Sequence, residues 1–107
     1  STGCADEALY YQALEHVHAN DLSVARKTLL SLVQNWPQSG FIGQAYFLFG
    51  EMFRKEAMTD PSKWVIAEQA YAEAVKYPAS PIASLALSRR AEARGKRGLS
   101  MAESPDP

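Results

Sequence analysis

Hydrophobic residues along this chain recur at intervals of three and four, and no stretch alternates apolar with polar as a strand would. From Ala5 to Asn20 the apolar positions Leu9, Tyr10, Ala13, Leu14 and Val17 share one helical face. Asp21 is a candidate N-cap, and Leu22, Ala25, Leu29, Leu32, Val33 and Trp36 continue the period until Pro37 stops it. Ser39 is the next candidate cap. It precedes Phe41, Ile42, Ala45, Tyr46, Phe49, Met52 and Phe53, the densest apolar stripe in the chain, which predicts that the third helix is the most buried. Asp60-Pro61 sets a capping residue before a proline at the first helical position. Trp64, Ala67, Ala70, Tyr71, Ala74, Val75 and Tyr77 then form a fourth helix that Pro78 ends. Ser80-Pro81 repeats that start, and Ile82, Leu85, Ala86 and Leu87 open a fifth helix that fades near Gly95 and Gly98. The pattern predicts an all-α chain: an N-terminal extension over 1–5, one helical domain over 6–97 and a polar tail over 98–107.

One phrase occurs twice. Asn35-Trp36-Pro37-Gln38-Ser39 and Lys76-Tyr77-Pro78-Ala79-Ser80 both read polar, aromatic, proline, any residue, serine. The aromatic residue closes one apolar face, proline forbids further helix and serine is placed to cap the next one. Upstream of the first corner stand Ala25, Leu29 and Leu32; upstream of the second stand Ala67, Tyr71 and Ala74, at the same spacing. Downstream of the first corner, Tyr46-Phe-Leu-Phe49-Gly50-Glu-Met-Phe53 gives an aromatic, a large residue, glycine and a second aromatic. Helix one carries a faded version with Leu9, Ala13 and His16 in those slots.

Together these phrases resemble the tetratricopeptide repeat, a helix–turn–helix unit of about 34 residues. The resemblance covers roughly 6–97: repeat one over 6–39, repeat two over 41–79 with an insertion near 58–62, and a capping helix over 81–97. It implies a right-handed stack of about five antiparallel helices. Small residues at Ala13, Ala25 and Gly50 would let paired helices approach closely. In helix five, Arg90 and Arg94 stand where helix three has Phe49 and Phe53, as suits a terminal helix that faces water. The resemblance further implies a concave groove for a peptide of a protein partner. Carried over by position, the groove residues are Tyr10, Leu14 and His18 on helix one, Gln44, Phe47, Glu51 and Arg54 on helix three, and Leu85, Ser88 and Glu92 on helix five. Phe47 is the expected exposed aromatic anchor. The aromatic-Pro-x-Ser corner is similar to tetratricopeptide variants of bacterial envelope proteins, which implies a periplasmic or envelope setting.

Composition narrows the remaining choices. At 107 residues the chain is most simply one domain, and its 11 Lys+Arg nearly balance 12 Asp+Glu, so no global field draws nucleic acid or anionic membrane. No apolar run approaches the roughly 18–20 residues that span a bilayer. The first residue is serine, which fits a processed or excised chain. Ser1-Thr2-Gly3-Cys4 resembles the end of a lipoprotein cleavage box whose cysteine is lipidated, although Ser1 stands where leucine is usual; the alternative is an ordinary surface thiol. A single cysteine cannot form an internal disulfide.

No catalytic or metal constellation is visible, so neither enzymatic activity nor a cofactor is expected. His16 and His18 are two residues apart and diverge on a helix, and Gly95-Lys96-Arg97-Gly98 lacks the spacing and preceding strand of a phosphate loop. Glu68 and Glu73 read as polar positions on an amphipathic helix. Arg89, Arg90, Arg94, Lys96 and Arg97 place five of the 11 basic residues within 89–97. They could grip phosphate or an acidic partner, or they could complement a helix C-terminus on a solvated face. The absence of interleaved aromatics favours the second. The sequence thus points to a protein-interaction scaffold, with self-association and weak binding through the basic stretch as the other readings.

Overall fold

The computed structural model describes residues 5–103, with side chains for 5–98. Cys4 and the proposed lipidation box lie outside the described residues. The described chain forms α1 (Ala5–His18), α2 (Leu22–Asn35), α3 (Ile42–Ala57), a 3-10 turn (Pro61–Lys63), α4 (Trp64–Val75) and α5 (Ala83–Glu103). Among the described residues there is no strand, and no helix is long and apolar enough to cross a membrane.

The helix ends show what the periodicity alone missed. α1 stops two residues early because Asn20 adopts a left-handed φ of 62°. Its N–H donates to the Val17 carbonyl at 2.9 Å, and the Asp21 N–H donates to His16 O at 2.7 Å, the paired bonds of a Schellman stop. Asp21 does sit at the N-cap of α2, but its side chain makes no capping bond and lies 3.8 Å from His16 Nδ1. Asp60 behaves as expected: its carboxylate accepts from the backbone N–H and the hydroxyl of Ser62, ahead of Pro61. α5 runs six residues past the expected end at 97. Gly95 and Gly98 cost roughly 1 kcal/mol each in helix propensity, yet no proline intervenes before Pro105 to break the ladder.

The two corners are copies of each other at an offset of 41 residues. Ser39 N–H donates to Trp36 O at 3.0 Å, and Ser80 N–H to Tyr77 O at 3.0 Å. Ser39 Oγ accepts from the Phe41 N–H, as Ser80 Oγ accepts from the Ile82 N–H. Each serine therefore bridges its own turn, two residues on, and does not cap the helix directly; Phe41 holds the N-cap of α3 without a side-chain bond. Ala45 N–H to Phe41 O and Ala86 N–H to Ile82 O then begin the helices, both at 2.8 Å.

Consecutive helices pack as α1 with α2, α3 with α4, and α4 with α5, while α1, α3 and α5 touch in a row and the backbones of α2 and α4 stay apart. The matched positions Ala25, Leu29 and Leu32 on α2 and Ala67, Tyr71 and Ala74 on α4 are all 0% exposed. One buried cluster joins α1, α2 and α3, with Ala70 of α4, around Leu29, Leu32 and Met52; a second joins α3, α4 and α5 around Phe47, Trp64 and Tyr71. The architecture is an all-α, helical-repeat-like stack.

Candidate functional site

Because α1, α3 and α5 form one row, they share a face, and that face carries a cleft of about 300 Å³. Tyr10, Leu14 and Val17 of α1 and Phe47 and Leu48 of α3 supply its apolar lining, with Ile82 closing it from the second corner. His18, Glu51, Arg54 and Lys55 make the polar rim. Six of the expected groove residues thus come together: Tyr10, Leu14, His18, Phe47, Glu51 and Arg54. Gln44 lies beside them, its amide within reach of the Tyr10 phenol, which burial raises above its ordinary range. Glu92 joins through Arg54. Leu85 and Ser88 are exposed on α5 and do not line the cleft.

Phe47 corrects the expectation. It is only 9% exposed and packs against the Tyr71 ring at 5.8 Å between centroids, because α4 covers the side of α3 that helical geometry alone left open. It is a core residue whose edge forms part of the cleft floor. It is not an exposed anchor.

The rim is locked by ion pairs across helices. Glu51 Oε2 accepts from the Tyr71 hydroxyl at 2.6 Å and from Arg89 Nε at 2.9 Å. Arg54 donates both Nε and Nη2 to the two carboxylate oxygens of Glu92, at 3.0 and 3.1 Å. That fork is the geometry in which guanidinium and carboxylate bind most strongly. The Arg54 fork holds the Glu92 carboxyl below its ordinary range, against a smaller opposing effect of burial. Burial, reinforced by the Glu51 carboxylate, drives the Tyr71 phenol far above its ordinary range, so it stays a hydrogen-bond donor. Lys55 reaches the Val17 carbonyl near the end of α1.

The basic stretch is also placed differently from a free patch. Arg89 is bound to Glu51, and Arg94 and Arg97 both bind Glu68. Glu68 is only 6% exposed, so it is no solvated position of an amphipathic helix. Burial would raise its carboxyl, but the bonds from Arg94 and Arg97 prevail and hold it below the ordinary value. Arg90 is half-buried with its Nε lacking a hydrogen-bond partner, and Lys96 is exposed. Arg89, Arg94 and Arg97 fasten α5 to α3 and α4.

A second depression, of about 320 Å³, was not legible in the sequence. It opens between α2 and α4, whose backbones stay apart. Tyr46, Phe49 and Phe53 of α3 contribute to it, flanked by Leu30 and Ile66, which are 41% and 37% exposed. Arg26 lies over the Phe53 ring at 5.6 Å while bound to Glu56. The apolar run of α3 was the available signal, but it could not show that the outer helices leave a gap.

Among the described residues no three His, Cys, Asp or Glu side chains gather to hold a metal ion. The rim carboxylates of the first cleft are engaged by guanidinium groups, so that cleft offers shape, apolar contact and fixed charge. Comparison of the chain with protein-family models, with curated proteins and with solved structures yields no match.

Proposed function

We propose that this chain is a non-enzymatic scaffold of the tetratricopeptide-repeat type that holds an extended peptide segment of a protein partner in the cleft between α1 and α3. The observation that carries the reading is the shared face of the alternate helices, with an apolar cleft of about 300 Å³ and a charged rim. That volume suits one or two apolar side chains of a peptide, at the lower end of the roughly 300–1,000 Å³ seen for small-ligand pockets. The ion pairs of Glu51 and Arg54 with α5 support it further, since a rim fixed before binding loses less entropy on binding. Two-helix units with matching buried positions are the other support.

The test is selection of binding peptides from a display library, followed by amide chemical-shift mapping on the labelled chain. Shifts should centre on Leu14, His18, Lys55 and Ile82, and Leu14→Arg should weaken binding at least tenfold. Shifts confined to Leu30, Phe53 and Ile66 would refute the cleft assignment.

A second reading, association of two copies, draws on the gap between α2 and α4, where Leu30 and Ile66 expose apolar surface beside an apolar depression. Light scattering across a concentration series, on the parent and on Leu30→Glu with Ile66→Glu, decides it. A mass that stays monomeric in the parent removes this reading.

A further inference from the structure

Most of the charge around the α1–α3 cleft is cancelled from within the chain. The Glu51 carboxylate is engaged by Arg89 and by the Tyr71 hydroxyl, and the Arg54 guanidinium is forked onto Glu92. Each of these pairs is net neutral. The same holds for cations on the neighbouring elements: Arg26 and Lys63 share Glu56, and Lys76 is paired with Glu73.

Lys55 is different. It is exposed and lines the same cleft, yet among the described residues no carboxylate pairs with it. Its one bond, to the Val17 carbonyl, is 3.5 Å long, beyond the roughly 2.7–3.2 Å of a good hydrogen bond. That oxygen already accepts the Asn20 N–H at 2.9 Å. An ammonium carries three donors, so the others stay open. His18, the last residue of α1, is exposed on the same rim, and its ring offers a further N–H in either tautomer. The cleft therefore combines an apolar floor with uncompensated positive charge on its rim, and its one lining carboxylate is already taken.

We propose that the cleft selects an extended peptide segment in which an aspartate or glutamate stands two positions from a bulky apolar residue. The apolar side chain rests against Leu14 and Phe47, and the carboxylate meets Lys55 and His18. Successive side chains of an extended chain point to opposite sides, so residues two apart face the cleft together. A basic residue in the acidic position would meet like charge, with Glu51 bound to Arg89 and unable to receive it. This selectivity rests on the reading of the cleft as a peptide site.

The test selects short random peptides displayed on phage against the full chain, Lys55→Gln and Lys55→Glu, and maps each selected peptide by amide chemical shifts. The parent should enrich Asp or Glu two positions from Leu, Ile, Phe or Met. Lys55→Glu should enrich Lys or Arg there and keep the apolar residue. For the strongest parent peptide, Lys55→Gln and the matching Glu→Gln or Asp→Asn change in the peptide should each weaken binding roughly two- to fivefold, the range of an exposed ion pair. Together they should weaken it no more than either alone. Lys55 is exposed, so Lys55→Gln should melt with the parent, and the peptide-side change probes the same pair in the unaltered protein. Peptides that map to Leu14 and Ile82 without acidic enrichment, or losses that simply add, overturn this selectivity and leave the peptide-site reading standing. Shifts that avoid Leu14 and Ile82, or no selected peptide at all, overturn both.

Discussion

The ring of Tyr71 occupies the space where Gly50 has no side chain: a Cβ there would fall 2.5 Å from Cδ1 and 2.9 Å from Cζ. Tyr71 cannot swing aside, because it is fully buried and its hydroxyl is held by Glu51. Gly50→Ala would gain about 1 kcal/mol of helix propensity, but overpacking of this kind costs about 1–3 kcal/mol. With no room to relax, the overlap should win. Chemical denaturation should show Gly50→Ala less stable than the parent, and Gly50→Leu should not fold.

Phe47→Ala separates a core role from a surface role. Removing a buried aromatic side chain costs roughly 3–5 kcal/mol. The variant should show a denaturation midpoint well below the parent. Retention of the parent midpoint would show that the ring is dispensable to packing against Tyr71.

Acid should release α5 before the rest of the fold. Glu68 and Glu92 are both held below their ordinary value of 4.5 by arginine partners. A depressed folded value means that the stabilisation is complete above about pH 4.5 and is lost as pH falls through the folded values. Protection factors of α5 amides, corrected for intrinsic exchange, should fall below pH 4.5 ahead of those of α3 amides, and Glu68→Gln should lower them already at pH 7. A uniform fall in both helices would count against these pairs as the fastening of α5.

Gly95 and Gly98 lie in the exposed part of α5, where a Cβ meets nothing within 4 Å. Replacing either with alanine should stabilise the chain by roughly 0.5–1 kcal/mol through helix propensity. Thermal melts of the single variants check this. A loss of stability would reveal that the outer face of α5 is already covered in solution.

Asn20 closes α1 with a left-handed φ of 62°. Asn20→Gly should be neutral or slightly stabilising, whereas Asn20→Val should cost about 1–2 kcal/mol, since a β-branched side chain clashes in that region. Comparing their melting temperatures tests the stop directly.

Much of the fold was legible because helices announce themselves locally. The three- and four-residue spacing found all five helices, and Asp60-Pro61 and the two serine corners located the turns. The misses were also local in kind: the Asn20 stop depends on a backbone conformation that side-chain periodicity does not encode, and the end of α5 depends on how much helix two glycines can tolerate. Of the groove residues, six gathered as expected because alternate helices of a paired stack share a face. Leu85 and Ser88 did not: they are exposed on α5, and the cleft is closed by Ile82 of the corner ahead of that helix.

The elements, the repeated corner and the small positions at which helices meet all follow from propensities and spacings within one or two turns of chain. Which side of each helix is covered came from the packing of the helices against one another. That packing placed α4 over Phe47 and set Arg89, Arg94 and Arg97 against Glu51 and Glu68. Those outcomes join residues as many as 38 positions apart. They depend on how whole helices cross, which no local pattern of apolar and polar residues specifies.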